Sequence, residues 1–271
     1  MRGLLIYDNE GKRRNEWFIR RLTEAARLRG HSLELAIYPE ELELSYAKDF
    51  DFAIVRTIRP DLNEKLEALG VPTFNCSLTS RIANDKWQTY LSMRELGVSV
   101  MDTILFTNYC EAAALFGTPF VLKAVDGHGG SEVFLVENEH KCKELLSLLQ
   151  NKRLIAQRLS SEVGVDMRVY VLGKEVLAAA KRTSDTDFRS NFSLGGKAEI
   201  CTPDADVKKT VKAVAEALGC DFVGIDFIRH NGSWVLNEIE DVVGTRMLYA
   251  LTDIDAADEY IGYIINKINW K

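Results

Sequence analysis

The chain has 271 residues, 46% hydrophobic and 27% charged, a composition that excludes disorder, collagen-like repeats and coiled coil and leaves room for two or three modest subdomains. With 34 Lys and Arg against 40 Asp and Glu the net charge is −6, a poor basis for neutralising a run of phosphates, so nucleic acid is not expected as a main partner. Apolar stretches such as Phe120-Val121-Leu122 and Leu177-Ala178-Ala179-Ala180 fall far short of the roughly 20 residues of a membrane helix, and no membrane partner is expected.

Met1 to Asp8 turns polar after one short apolar run, so it reads as a first strand, not a signal peptide, and the expected location is cytoplasmic. The five cysteines, Cys76, Cys110, Cys142, Cys201 and Cys220, are scattered and form no Cys-x-x-Cys. They read as ordinary reduced thiols. Residues 1–80 alternate short apolar runs with helical patterns: Leu4–Tyr7, a helix from Trp17 to Leu28 ending at Gly30, Leu33–Ile37, Phe52–Val55, and a short helix closing at Gly70. That alternation predicts βαβ units and a parallel sheet. Asp61 with Glu64 three residues on has the form of a helix cap with its reciprocal partner, and Gly70 the form of a left-handed stop.

A second segment opens with a helix over Asn84–Leu96 stopped by Gly97, then a strand at Thr103–Phe106 and a short helix at Ala112–Phe116. Phe120–Val125 and Glu132–Val136 read as the arms of a hairpin whose tip is Asp126-Gly127-His128-Gly129-Gly130-Ser131. Lys123 stands in the apolar arm just before that tip. Glycines let backbone N–H groups approach an anion and the lysine adds a full charge, so together they suggest a phosphate cradle. The alternative is a flexible hairpin with an edge-strand lysine. A helix over Asn138–Leu149 and the strand Leu154–Gln157 follow, and a third segment rich in strands carries one amphipathic helix, Ala205–Leu218.

Phe222–Ile228 and Trp234–Glu240 read as two strands joined through His230-Asn231-Gly232, each with acids where burial is expected. A two-residue loop would set Asp226 opposite Asn237 and send the glutamates to the other face. A three-residue loop would put Asp226, Glu238 and Glu240 on one face, close enough to share a cation. Three such carboxylates need a divalent metal or cationic side chains to offset their repulsion, and oxygen-only ligands favour Mg²⁺ or Mn²⁺. Asp166 and Arg168 share a strand face, and Arg189 and Asn191 belong to a polar loop. These arginines are candidate donors to a developing oxyanion or a transferring phosphoryl group. No Gly-x-Ser-x-Gly elbow or nucleophilic cysteine signature occurs.

Over about residues 80–250, the order Lys86, Lys123 with its glycine loop, Gln157-Arg158-Leu159, Asp166, Arg168, Asp187-Phe188-Arg189-Ser190-Asn191, Asp226, Glu238 and Glu240 resembles the ATP-grasp superfamily, in particular the RimK-type glutamate ligases. The resemblance implies an α/β ATP-grasp fold with three parts. They are an N-terminal βαβ, Rossmann-like domain (1–80), a central α+β lid domain (81–157) and a C-terminal α+β catalytic domain with a largely antiparallel sheet (158–271). It implies ATP phosphates on Lys86 and Lys123, and a lid carrying Gly127, Gly129, Gly130 and Ser131. It implies adenine along Gln157, Arg158 and Leu159, and ribose on Asp166. Further nucleotide contacts would come from Arg189, Ser190 and Asn191. Two Mg²⁺ (or Mn²⁺) ions would sit on Asp226, Glu238 and Glu240, with Arg168 and Arg189 in catalytic roles beside the transferring and acyl phosphates.

The implied reaction is a carboxylate-amine ligation on an amino acid or peptide, with ADP and phosphate released. A homodimer or homotetramer is implied as well. A kinase or a non-catalytic ATP-binding module would use the same apparatus. The chain departs from the family pattern at Glu238-Ile239-Glu240, where Glu-x-Asn is usual, and in the following stretch, which lacks a Ser-Pro before Gly244. Asn15, Arg56, Arg59 and Arg246 could line an acceptor site by position and charge, but each reads first as a surface residue.

Overall fold

The computed structural model describes residues 1–185, 187–189 and 197–270. The elements β1 (Arg2–Tyr7), α1 (Asn9–Leu28), β2 (Ser32–Ile37), β3 (Phe52–Val55), α2 (Pro60–Ala68) and β4 (Thr73–Phe74) build a parallel sheet in the order β2-β1-β3-β4. Helix α1 starts well before Trp17 because the Asp8 carboxylate accepts from the Gly11 N–H at 2.6 Å and so caps it. Asp61 does not cap α2. Pro60 takes the first helical position, where its missing N–H costs nothing, and Asp61 pairs with Arg59 (2.9 Å) and Lys65 (3.0 Å). Gly70 does follow the helix end with φ +84.

Next come α3 (Ser77–Ala83), α4 (Lys86–Glu95), β5 (Thr103–Leu105), α5 (Tyr109–Phe116), β6 (Phe120–Ala124), β7 (Val133–Val136), α6 (Glu139–Leu148) and β8 (Leu154–Arg158). Their strands form an antiparallel sheet in the order β5-β8-β6-β7. The single helix expected over Asn84–Leu96 is interrupted at its start: the Asn84 amide folds back to the Ser80 carbonyl (2.8 Å), and Asp85 caps a new helix at the Gln88 N–H (2.8 Å). This break sets Lys86 at the first turn of α4, with its own N–H bonded to the Val125 carbonyl beside the glycine loop (3.0 Å).

The remaining elements are β9 (Val165–Leu172), β10 (Glu175–Thr183), β11 (Lys197–Ile200), α7 (Ala205–Leu218), β12 (Phe222–His230), β13 (Ser233–Glu240), α8 (Arg246–Leu251) and α9 (Ala256–Asn269). Their sheet runs β11-β10-β9-β12-β13, antiparallel throughout. Alternation along β9 explains its two faces. Met167, Val169 and Val171 join Val223, Ile225 and Phe227 in a core closed by Val207, Val211 and Val214 of α7. Asp166 and Arg168 point the other way. Helix α9 returns to pack on α1, where Tyr260, Ile261 and Ile264 share a core with Phe18 and Leu22.

The parallel sheet is joined to the large antiparallel one through Asn75, which is buried. Its Oδ1 accepts from the N–H groups of Asp221 (2.7 Å) and Phe222 (2.8 Å), and its Nδ2 donates to the Phe222 carbonyl (2.9 Å) and to Asp241 Oδ1 (2.8 Å). Asn75→Ala leaves several buried backbone groups without partners, each costing about 1–3 kcal/mol. Urea unfolding should show a loss of about 3 kcal/mol or more.

Candidate active site

The hairpin of β12 and β13 turns through two residues, with His230 opposite Ser233 and positive φ at both Asn231 (50°) and Gly232 (74°). By the simple register this loop would scatter the acids. A bulge prevents it: Phe227 faces Leu236 but Asp226 faces Glu238, so Asn237 is the extra residue. Asp226, Glu238 and Glu240 thus share a face by a different route from the three-residue loop. Neighbouring registers, Asp226 against Arg168 and Asp166 against Arg182, carry the same face across β9 and β10.

On that face charges alternate in sign. Arg168 donates to both oxygens of Asp226 (2.8 and 2.7 Å) and also to Glu240 Oε1. Arg182 donates to both oxygens of Asp166 (2.5 and 2.7 Å) and to Asp226 Oδ2 (2.9 Å). Burial alone would raise the Asp226 pKa, but the two arginines outweigh it and hold the carboxyl below its ordinary range. Burial dominates at Glu240. Together with the charges of Asp226 and Glu238 it pushes that carboxyl up despite Arg168. Arg182 is the member of this set that sequence reading missed. Its only signal lies in the pairing of β9 with β10, which no local pattern fixes.

Gly224 makes this packing possible. A Cβ there would stand 2.7 Å from Val243 Cγ2 and 3.6 Å from Arg168 Nε. Gly224→Ala should displace the segment after β13 and cost about 1–3 kcal/mol, read by thermal unfolding.

Opposite the acids lies the glycine-tipped hairpin of β6 and β7. Lys123 is buried and donates to Gln157 Oε1 (2.6 Å) and to Oδ1 of the bulged Asn237 (3.0 Å). Desolvation lowers its pKa to about 8, with Glu238 opposing and Lys86 adding to the shift. Lys86 donates to the Gly127 carbonyl and pairs with Glu238 (3.0 Å), bridging the loop to the carboxylates. Arg189 donates to the Gly130 carbonyl (2.8 Å) and is held by Asp187 (2.7 Å). Gly129 and Gly130 adopt φ of +66 and +76, a backbone that favours glycine. The Ser131 hydroxyl donates to the His128 carbonyl (3.1 Å).

Between the two walls runs a cleft. Lys123, Gly129, Gly130, Gln157, Arg158, Leu159, Asp166, Arg189, Asp226, Glu238 and Glu240 line it, with Phe188 and Ile228 adding apolar surface. Gly127, Ser131, Lys86 and Arg168 are not among the residues that line it, while Ser190 and Asn191 lie outside the described residues. The Arg158 side chain is engaged by Asp102 (3.0 Å) and the Leu115 carbonyl (3.3 Å). Arg56, read as a surface residue, is buried and donates to the Val243 carbonyl (2.7 Å). Arg246 donates to the Arg14 carbonyl (2.7 Å) and Arg59 holds Asp61. The Asn15 amide bonds the Gly11 carbonyl inside α1 (2.8 Å).

Among the described residues no three His, Cys or acidic side chains converge as a ready metal cage. The carboxylates answer to cationic side chains instead, one of the two outcomes their repulsion allowed. Their donor chemistry still fits a hard divalent cation, since the set is all oxygen and Glu238 and Glu240 line the cleft. Asp226 would exchange an arginine contact to join them.

Residues 83–264 match the family model of the RimK-like ATP-grasp domain. The chain is 29% identical over 253 residues to the uncharacterized protein MG011 homolog of Mycoplasma pneumoniae, spanning 91% of this chain and 86% of that one. It is 29% identical over 233 residues to the glutamate–LysW ligase ArgX of Sulfolobus acidocaldarius, spanning 80% and 83%. The fold superposes on that of the D-alanine–D-alanine ligase of Bacillus anthracis, crystallised with ATP, with a TM-score of 0.80 at 18% identity, over 100% of this chain and 98% of the other. A family match over more than half of the sequence, on a fold shared across the whole chain, means that this protein belongs to the RimK-like ATP-grasp family.

Proposed function

We propose that the chain joins the carboxylate of an amino acid or peptide to an amine, using ATP and Mg²⁺, through an acyl phosphate. The observation that carries this reading is the two-signed cleft: Lys123, Arg189 and the glycine loop on one wall, and Asp166, Asp226, Glu238 and Glu240 on the other. Such a cleft answers the central difficulty of the reaction, which is to bring a polyanionic nucleotide and a carboxylate together.

In this reading Lys123 and Lys86 hold phosphate oxygens, and the strand end at Gln157, Arg158 and Leu159 offers its backbone to the adenine edge. Asp166 accepts from ribose hydroxyls. Asp226, Glu238 and Glu240 would hold Mg²⁺, which supplies charge neutralisation of the phosphates when bound. A substrate carboxylate oxygen attacks the γ-phosphorus and ADP leaves. The amine nitrogen then attacks the acyl carbon, phosphate departs, and the nitrogen gives up a proton. Arg168 and Arg189 stabilise the oxygens on which charge builds. The contact of Arg189 with Gly130 supports a lid that closes over the acyl phosphate and excludes water. Glu240, where the family usually has Asn, adds negative charge beside that intermediate, so the reading stops at an amino acid or peptide and does not name glutamate.

The test is ADP and phosphate release with ATP and Mg²⁺ against pools of carboxylates and amines, followed by mass spectrometry. The expected product has the mass of two substrates less water and disappears in Asp226→Asn and Glu238→Gln. ADP without a joined product would favour a kinase, and nucleotide binding without turnover a non-catalytic module.

A further inference from the structure

Arg182 has no part in the reaction just described, yet it is the most enclosed charge on the acidic wall, its side chain 4% exposed. The geometry points to Arg182 as a positioning residue that couples the nucleotide side of the cleft to its carboxylate side. Asp166 and Asp226 stand on neighbouring strands, offset by two residues, because Asp226 faces Arg168 and Asp166 faces Ile228. Two carboxylates so placed repel one another. Arg182 enters from β10 on the far side of Asp166, grips both of its oxygens, and reaches past it to Asp226.

The detail that matters is that one terminal nitrogen does both jobs. The same guanidinium nitrogen lies 2.7 Å from Asp166 Oδ2 and 2.9 Å from Asp226 Oδ2. The guanidinium is planar and rigid, so a change in its hold on one carboxylate turns it relative to the other. Water cannot take over at this burial, and salt screens it little. Arg168, by contrast, divides its donors between Asp226 and the more open Glu240, whose side chain is 29% exposed. Arg182 therefore keeps Asp226 paired when Arg168 turns to a reacting oxygen, and it transmits the state of Asp226 to the carboxylate that meets the ribose.

This inference rests on the proposed nucleotide role of Asp166, and its test needs neither acceptor nor metal. A fluorescent ADP analogue is titrated, in EDTA, into the wild type, Asp226→Asn, Arg182→Lys and the double variant. Lysine keeps the charge but not the fork. Asp226→Asn is expected to weaken binding about threefold or more in the wild-type background and to change it by less than about 1.5-fold in the Arg182→Lys background, a coupling in the range of residues that share one network. Equal factors in both backgrounds would overturn the coupling. Should Arg182→Lys fail to fold by circular dichroism, Asp226→Asn alone decides: unchanged ADP affinity in EDTA overturns the inference, and weakened affinity supports it. A wild type that binds no ADP analogue even with Mg²⁺ would remove the functional reading and the inference with it, whereas binding without coupling removes the inference alone.

Discussion

Arg168→Gln is expected to reduce ligation by about 10²–10³-fold and to destabilise the fold, two effects that a second substitution can separate. Arg168 compensates two acids at once, Asp226 and Glu240, at a side-chain exposure of 11%. Removing one partner of a buried pair costs about 3–5 kcal/mol because the other charge stays behind. Arg182 continues to hold Asp226, so the loss falls mainly on Glu240, whose carboxyl burial already pushes up. Taking up a proton relieves it. The penalty of Arg168→Gln should therefore shrink as pH falls toward the ordinary carboxylate range, measured as the difference from wild type in urea unfolding. In Arg168→Gln with Glu240→Gln, most of the stability should return while ligation stays lost. Recovery of both would mean that Arg168 serves only to neutralise its neighbours.

What the sequence made readable and what it hid follow from the range of the forces involved. Local signals held: Gly70 and Gly97 carry the positive φ expected of helix stops, and the helix over Ala205–Leu218 appears as read, capped by Asp204. The glycine loop between two apolar arms also reads correctly as a hairpin tip, because its chemistry is contained in a dozen residues. Asp61 misled because Asp at the second helical position looks like a cap until Pro60 is weighed as the first. The break at Asn84 was invisible, since an amide folding back on Ser80 leaves the apolar periodicity intact.

The acid cluster is the instructive case. Its shared face was reached by assuming a longer turn, whereas the chain uses a tight Asn-Gly turn and a bulge at Asn237. A bulge depends on what packs against both faces of the strand. Here Leu236 and Ile239 both go into the core, which forces one extra residue between them. That extra residue is what reaches Lys123. Arg182 needed the same non-local knowledge, since only strand pairing sets it opposite Asp166.

The buried lysine gives the second prediction, and its two signs are opposite. Desolvation brings Lys123 from the ordinary lysine value of 10.5 down to about 8 in the folded chain, with Lys86 and Glu238 as the charged neighbours that modify it. Between those values the unfolded chain holds more protons than the folded one, so the contribution of Lys123 to stability rises with pH across the window from about 8 to 10.5. Nucleotide binding runs the other way. A phosphate needs the ammonium, so affinity should fall as pH rises through about 8, and binding above that pH should draw a proton onto the lysine. Calorimetry of ADP binding at pH 8.5 in buffers of different ionisation enthalpy should show net proton uptake. Lys123→Met should lose that uptake and bind about 10-fold or more weakly at pH 7. The wild type should gain on Lys123→Met in unfolding free energy as pH rises through the same window, since only the wild type has this proton to lose. Proton uptake that persists in Lys123→Met would assign the ionisation to another group near the phosphates. His128 of the glycine loop, whose pKa desolvation and the charge of Lys86 both lower, is then the first to test.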